Sequence, residues 1–202
     1  MNAVSMSAPA AAFGNPVQHS QQAFRALLDA MAHPGRRADT GGDVGHPHGL
    51  APSLAAALLT LCDFETPVLI GQGFDVQAIG DWLRFHTGAP AVAEHGRAAI
   101  ALLDASHLPP LDDFALGSDE APERGATLLI QVPSLDGPAA LRWSGPGMKS
   151  ETPMPLFGLP ERFWRQRLLL GIAFPRGLDI YLGRDQALVG LPRSTTISFP
   201  EA

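Results

Sequence analysis

Residues 174–196 read FPRGLDIYLGRDQALVGLPRSTT, a stretch that predicts two paired strands between two Pro-Arg turns. The runs 178–182 and 187–191 have the length and apolar content of buried strands. Between them, Gly183-Arg184-Asp185-Gln186 is a turn signal, so the two runs are expected to form a hairpin. A further strand is predicted over residues 195–199. The C-terminal part of the chain is therefore expected to supply neighbouring strands of a sheet.

The two Pro-Arg pairs place Arg176 and Arg193 at the ends of this hairpin, 17 residues apart. Proline fixes φ, so each arginine is held in a defined local geometry. The guanidinium is a rigid five-donor fork that suits carboxylate and phosphate groups. Two interpretations stay open. The arginines could converge on one anion, or each could pair with a carboxylate such as Asp179 or Glu201, or with a partner subunit.

Elsewhere, helices dominate the first half of the chain and strands the second, but the two types interleave. Helices are predicted from Ser20 to Pro34, from Pro52 to Cys62 and over residues 75–85 and 161–172; strands are predicted over 68–70, 98–103, 126–132 and 139–143. This order predicts an α/β fold, a three-layer α/β/α arrangement with a mixed sheet. The Gly/Pro-rich segments 36–49 and 144–160 are expected to be irregular. Residues 1–17 are expected to form a disordered tail, and residues 18–202 a single domain.

The spacing of apolar residues predicts which helical faces are buried. In the first helix the predicted stripe is Phe24, Leu27, Leu28 and Met31. In the third helix the residues expected to face inward are Val76, Ile79, Trp82 and Leu83.

Length, charge and cysteine content exclude several classes of function. A chain of 202 residues can bury the core of one domain. The formal net charge of −6, with no run of like charges, argues against a general binder of nucleic acid or of an anionic membrane. No apolar run approaches the ~20 residues of a membrane-spanning helix. A secretory signal requires a basic segment near the N-terminus, and the first Lys or Arg of this chain is Arg25. The single cysteine, Cys62, permits no internal disulfide, so the chain is expected to be cytoplasmic.

Other candidate side chains each have a structural alternative. Cys62 follows an apolar helical face and is expected to be a buried small hydrophobe. His46 and His48 are spaced to share a metal ion, but a solvated loop is the favoured interpretation, and no metal is expected. His86 ends the third helix, where it either satisfies the helix terminus or contacts an anion at a cleft. The Gly145-Pro146-Gly147 turn could bring backbone N–H groups to a phosphate, although a tight turn is favoured. Lys149, the only lysine, lies in an irregular loop that offers no apolar pocket for Schiff-base chemistry.

Seven segments, in order, resemble the PhnH family, whose members are subunits of the bacterial carbon–phosphorus (C–P) lyase machinery. They are FRALLDAMAHPG (24–35), LCDFETPV (61–68), LRFHTGAP (83–90), ATLLIQV (126–132), SGPGM (144–148), FPRGLD (174–179) and LPRST (191–195). The chain departs from the family at Gly125, where the family often has Ser.

The resemblance implies a fold similar to the pyridoxal-phosphate-dependent transferases, but without the cofactor. It also implies a homodimer that assembles with the family's G, I and J subunits in phosphonate catabolism. The synthase step of that complex joins methylphosphonate to the ribose of ATP. The chain is therefore expected to be an accessory or structural subunit rather than a catalytic one. The alternative is an enzyme or sensor that binds a phosphorylated small molecule through Arg176, Arg193 and the turn of Gly145 and Gly147, with His86 as a further contact.

Overall fold

The computed structural model describes residues 12–200. The helices are α1 (Pro16–Ala32), α2 (Pro52–Leu61), α3 (Val76–Thr87) and α4 (Glu161–Leu170). The strands are β1 (Arg37–Asp39), β2 (Val68–Ile70), β3 (Ala91–Val92), β4 (Ile100–Asp104), β5 (Thr127–Gln131), β6 (Leu141–Ser144), β7 (Thr152–Met154), β8 (Asp179–Arg184), β9 (Ala187–Leu191) and β10 (Thr196–Ser198). Short 3-10 helices occupy His95–Arg97, Leu111–Asp113, Pro122–Arg124 and Gly171–Ala173.

The central sheet has seven strands in the order β1-β9-β8-β5-β4-β2-β3. In this sheet β3, β2, β4, β5 and β8 run parallel to one another. Strand β9 pairs antiparallel with β8, and β1 pairs antiparallel with β9. The predicted hairpin is therefore present as β8–β9, and the predicted α/β fold with a mixed sheet is confirmed. A second, antiparallel sheet has the order β10-β6-β7.

The two faces of the central sheet carry different layers. One face packs against α1, α2 and α3 in an apolar core that includes Leu54, Leu58 and Trp82. The other face packs against α4 and the second sheet, where Trp143 and Trp164 are buried with ring centroids 5.9 Å apart. The strands are apolar on both faces, as expected when a parallel sheet is covered on both sides.

The face that α1 buries is only partly the predicted one. Of the predicted stripe, Leu27 is buried and Met31 packs against the core, whereas Phe24 and Leu28 are 46% and 54% exposed. The other buried residues are Ala23, Ala26 and Ala30. The prediction was wrong for Phe24 and Leu28 because the helix lies close to the sheet. A Cβ on Gly190 of β9 would lie 2.4 Å from the carbonyl oxygen of Ala30, so only small side chains fit between α1 and β9.

The N-terminal boundary also differs from the prediction. Helix α1 begins at Pro16, with Asn15 as its N-cap, not at Ser20. Phe13 is buried and forms an isolated bridge with Val44. Residues 12–17 are therefore part of the folded domain, while residues 1–11 of the predicted tail lie outside the described residues.

Further differences occur where elements are short. The predicted loop 36–49 contains β1, and the predicted irregular segment 144–160 contains β7. Both have three residues and too little sequence to show an alternating pattern. Val76, predicted to face inward, is 50% exposed because α3 begins there, directly after the N-cap Asp75. Among residues 12–200, no helix is both long enough and apolar enough to span a bilayer.

Candidate functional site

Arg193 lies in the turn after β9 and binds Asp179, the first residue of β8. Its Nη2 and Nε donate to Oδ2 of Asp179 at 2.6 and 3.1 Å, and its backbone N–H donates to Oδ1 at 2.9 Å. Nη1 donates to the carbonyl oxygen of Pro122. The Arg193 side chain is only 14% exposed. Such forked, charge-assisted contacts fix both partners, so this ion pair closes the end of the hairpin.

Arg176 has a different carboxylate partner. Its Nε lies 3.1 Å from Oδ1 of Asp119, and the side chains of Arg176 and Asp119 are 45% and 78% exposed. The two predicted arginines therefore each hold a separate carboxylate, which is the ion-pair interpretation of the sequence. Glu201, the other candidate partner, lies outside the described residues.

A cleft of about 550 Å³ opens beside Arg193, between the C-terminal end of α4 and the turn that leads into β10. This volume is within the range of small-molecule sites. It is lined by Pro146, Arg167, Leu168, Gly171, Ile172, Phe174 and residues 193–197. The rim is apolar and open to solvent, since Ile172 is 80% and Phe174 is 59% exposed.

The charged group at the base of the cleft is Arg167 of α4, which is only 2% exposed. Its Nη2 donates to the carbonyl oxygens of Pro192 and Thr195 at 2.9 and 3.2 Å. Its Nε is buried and has no partner among the described residues. Desolvation lowers the pKa of Arg167 to about 10, while the charge of Asp179 acts in the opposite direction. Arg167 therefore remains a cation at neutral pH.

Arg167 is absent from the site residues predicted from the sequence, although the sequence carries a signal for it. Arg167 follows Phe163 by four residues and Trp164 by three, and both aromatic side chains are buried. Residues with this spacing share one face of a helix. An arginine in the apolar stripe of a helix has to be buried or to lie at the edge of a cleft.

The Gly145–Gly147 turn packs tightly against its neighbours. A Cβ on Gly145 would lie 3.0 Å from the carbonyl oxygen of Ser194. Gly147 has φ of 82°, and a Cβ there would lie 2.0 Å from the carbonyl oxygen of Ala32. The glycines allow the turn to sit between α1 and the 192–195 turn. Pro146, between them, reaches the cleft.

The histidine candidates lie away from this cleft. His86 is in α3, on the opposite face of the sheet, with its ring 5.5 Å from that of Trp82 and 4.9 Å from that of Phe85. His46 Nδ1 lies 3.2 Å from the carbonyl oxygen of Pro47. Within residues 12–200, no group of three His, Cys, Asp or Glu side chains is arranged to hold a metal ion.

Cys62 and Lys149 have the surroundings that the sequence suggested. Cys62 is 8% exposed, and burial, followed by the charge of Asp63, raises the pKa of its thiol to about 12. The thiol is therefore protonated at neutral pH and is a poor nucleophile. Lys149 is exposed in the loop between β6 and β7. Neither side chain lines the cleft.

The mixed sheet, and the cleft with a buried guanidinium beside it, define an α/β protein with one candidate site at the end of α4. Comparison with known families identifies the family. The chain belongs to the PhnH family, because the model described as "Bacterial phosphonate metabolism protein (PhnH)" matches residues 11–198. The resemblance inferred from the seven sequence segments is thus confirmed.

Two relatives extend the match over nearly the whole chain. The "Alpha-D-ribose 1-methylphosphonate 5-triphosphate synthase subunit PhnH" of Rhizobium meliloti (strain 1021) is 34% identical over 187 residues, covering 92% of this chain and 94% of the relative. The "Putative C-P lyase subunit protein HtxG" of Stutzerimonas stutzeri is 30% identical over 186 residues, covering 90% of this chain and 87% of the relative.

Proposed function

We propose that this protein is an accessory subunit of a C–P lyase complex, in which it supports the synthesis of α-D-ribose 1-methylphosphonate 5-triphosphate without supplying the catalytic groups. The observation that carries the proposal is the end-to-end match to the Rhizobium meliloti relative, which covers 94% of that protein. A match over this length covers the whole domain and not only a shared motif.

The exposed apolar side chains support a role in assembly. Phe24, Leu28, Phe64 and Phe85 are 46%, 54%, 72% and 69% exposed on the α1–α3 side, and Leu169, Ile172 and Phe174 are exposed around α4. Large apolar side chains that remain in water often mark surfaces for partner proteins. We propose that these surfaces contact the G, I and J subunits and a second copy of this chain, in the cytoplasm.

We also propose that the fold is related to that of the pyridoxal-phosphate-dependent transferases. The sheet of seven strands, with one layer on each face, supports a relation to the pyridoxal-phosphate-dependent transferase fold. We propose that this chain does not use the cofactor. The exposed position of Lys149 in a loop supports this, because a Schiff-base lysine needs a pocket that lowers its pKa.

Co-expression tests the leading proposal. The tagged protein would be produced with untagged G, I and J subunits and analysed by affinity capture and by size-exclusion chromatography with light scattering. We expect one assembly that contains all four chains, and a dimer when this protein is produced alone. Elution without the other subunits, from cells in which all are soluble, would contradict the proposal.

A second function is favoured by the cleft: binding of a phosphorylated small molecule. Arg193 and Pro146 line the cleft, whereas Arg176 pairs with Asp119 outside it. Titration calorimetry with ATP, ribose phosphates and phosphonates would test this function. Binding should weaken in Arg193→Ala and persist in Arg176→Ala, and the absence of heat with every ligand would remove the candidate.

A further inference from the structure

We propose that the cleft at the end of α4 binds a small-molecule oxyanion and that Arg167 is its principal charged ligand. This inference deepens the second function above, because it names the anchoring residue and the ligand class. It does not depend on whether the chain joins a C–P lyase complex.

The cleft has an excess of positive charge. Arg167 and Arg193 both line the cleft, and the carboxylate that acts on them is the single group of Asp179. Arg193 holds this carboxylate directly, and within residues 12–200 no ion pair forms with Arg167. A buried cation without an adjacent anion is costly, because water no longer solvates it. An oxyanion in the cleft would neutralise this charge.

The guanidinium of Arg167 also has an unused hydrogen-bond donor. Among the described residues only its Nη2 has acceptors, Nε is fully enclosed without one, and Nη1 has no acceptor and is not fully enclosed. The hydroxyl Oγ1 of Thr195 is likewise enclosed and has no partner there. Buried polar groups are nearly always hydrogen-bonded, so Nη1 is the donor that a ligand in the cleft would use. Phosphate and carboxylate oxygens are the acceptors that an arginine fork suits.

Gly171 leaves access to Nη1 of Arg167. A Cβ on Gly171 would lie 3.6 Å from Nη1, and apart from its chain neighbours and the helix backbone no other described atom would lie within 4 Å. Gly171 also lines the cleft. The missing side chain at this position therefore leaves the guanidinium open to a ligand that enters from solvent.

The walls indicate what else the ligand carries. Leu168, Ile172, Phe174 and Ile197 surround the charged base with apolar surface. An oxyanion attached to an apolar or planar group would contact both parts of the cleft, whereas inorganic phosphate would use the base alone. We therefore expect an organic phosphate or phosphonate to bind more tightly than inorganic phosphate.

The test is titration calorimetry of the full chain with inorganic phosphate, phenyl phosphate and, as the neutral control, phenol, at concentrations up to about 10 mM. The variants are Arg167→Met, which removes the charge, Gly171→Leu, which fills the approach to Nη1, and Thr195→Val. Arg165→Gln is the matched control, because Arg165 lies on the same helix but is 68% exposed and pairs with Glu161. Thermal unfolding of each variant checks that it folds.

We expect phenyl phosphate to bind the natural chain and the Arg165→Gln variant equally. Arg167→Met should weaken binding by about ten- to a hundredfold, because a charge-assisted hydrogen bond is lost. Gly171→Leu keeps Arg167 and should also weaken binding, so the test holds if Arg167→Met fails to fold. Unchanged affinity in folded Arg167→Met or in Gly171→Leu would overturn the inference. Arg193→Ala is titrated alongside these variants, and a loss confined to it would overturn the inference while leaving the second function standing. No binding of either phosphate by the natural chain would also overturn the inference, whereas the second function fails only if ATP, ribose phosphates and phosphonates do not bind.

Discussion

The two Pro-Arg turns have similar sequences and different surroundings. In the turn after β9, Arg193 is 14% exposed and makes three hydrogen bonds to Asp179. In the turn before β8, Arg176 is 45% exposed and has one contact with Asp119, which is itself 78% exposed. The local motif fixes the backbone in each case, but residues distant in sequence decide how strongly each arginine is held.

The turn after β9 is enclosed by three separate parts of the chain. Arg167 of α4 donates to two of its carbonyl oxygens, from Pro192 and Thr195. Gly145 packs against Ser194, and the carbonyl of Pro122 accepts from Arg193. In the turn before β8, residues 12–200 leave the side chain of Arg176 45% exposed. An ion pair in water gains little, because the solvent already stabilises both charges and salt screens them.

Removal of Asp179 should produce the largest effect on this comparison. Asp179→Ala leaves Arg193 without its carboxylate and takes away the negative charge that acts on buried Arg167. We expect a loss of about 3 kcal/mol in the free energy of unfolding, because one partner of a largely buried pair is deleted while its cation remains. Urea denaturation followed by circular dichroism measures the change.

Asp119→Ala is the matched control in the other turn. Its expected change in the free energy of unfolding lies within about 0.5 kcal/mol of zero, since both side chains are solvated. Equal losses in the Asp179→Ala and Asp119→Ala variants would show that enclosure of the turn after β9 adds no stability, and would contradict the difference inferred between the two turns.

Gly125 offers an intermediate test, because it touches both turns. A Cβ on Gly125 would lie 2.4 Å from the carbonyl oxygen of Gly177 and 3.0 Å from Nη1 of Arg193. Gly125→Ala forces the backbone next to the turn before β8 to move, and it disturbs Arg193 in the turn after β9. We expect a loss of about 2 kcal/mol in the free energy of unfolding from overpacking, again measured in urea.

The control for this substitution is Gly80→Ala in α3. A Cβ there would meet only Cδ1 of Ile70 at 3.7 Å, an ordinary contact. Alanine in a helix is favoured over glycine by up to about 1 kcal/mol, so this variant should be slightly more stable than the natural chain. Destabilisation by Gly80→Ala equal to that by Gly125→Ala would mean that the effect at Gly125 is not specific to the two turns.

The contrast between the turns also explains how much the sequence could predict. The hairpin β8–β9 is local: its apolar runs and the Gly183–Gln186 turn are adjacent, so it was predicted within a few residues. The family resemblance was likewise carried by short segments. By contrast, β1 pairs with β9, and Arg37 lies opposite Val189, 152 residues further along the chain. Nothing within residues 36–49 indicates such a distant partner.

The buried face of α1 shows the same limit. Periodicity placed Phe24 and Leu28 inside, but the close approach of Ala30 to Gly190 puts the small side chains against the sheet. At the candidate site, the sequence named Arg193 and left Asp179 open as its partner. It missed Arg167, although the spacing from Phe163 and Trp164 places Arg167 on the apolar face of α4, and only the fold shows that this face lies beside a cleft.

The smallest expected effect is the coupling free energy between Arg176 and Asp119, because both side chains are exposed to solvent. A double-mutant cycle built from Arg176→Ala, Asp119→Ala and the double variant measures this coupling without the unrelated losses of each substitution. We expect about 0.2–1 kcal/mol at low salt, falling further in about 1 M NaCl, where the screening length is only about 3 Å. The matching cycle for Arg193 and Asp179 should give a larger coupling that changes less with salt, because that pair is largely withdrawn from solvent. If salt weakened both couplings to the same degree, Arg193 would be as accessible to ions as Arg176, and burial would not be what separates the two turns.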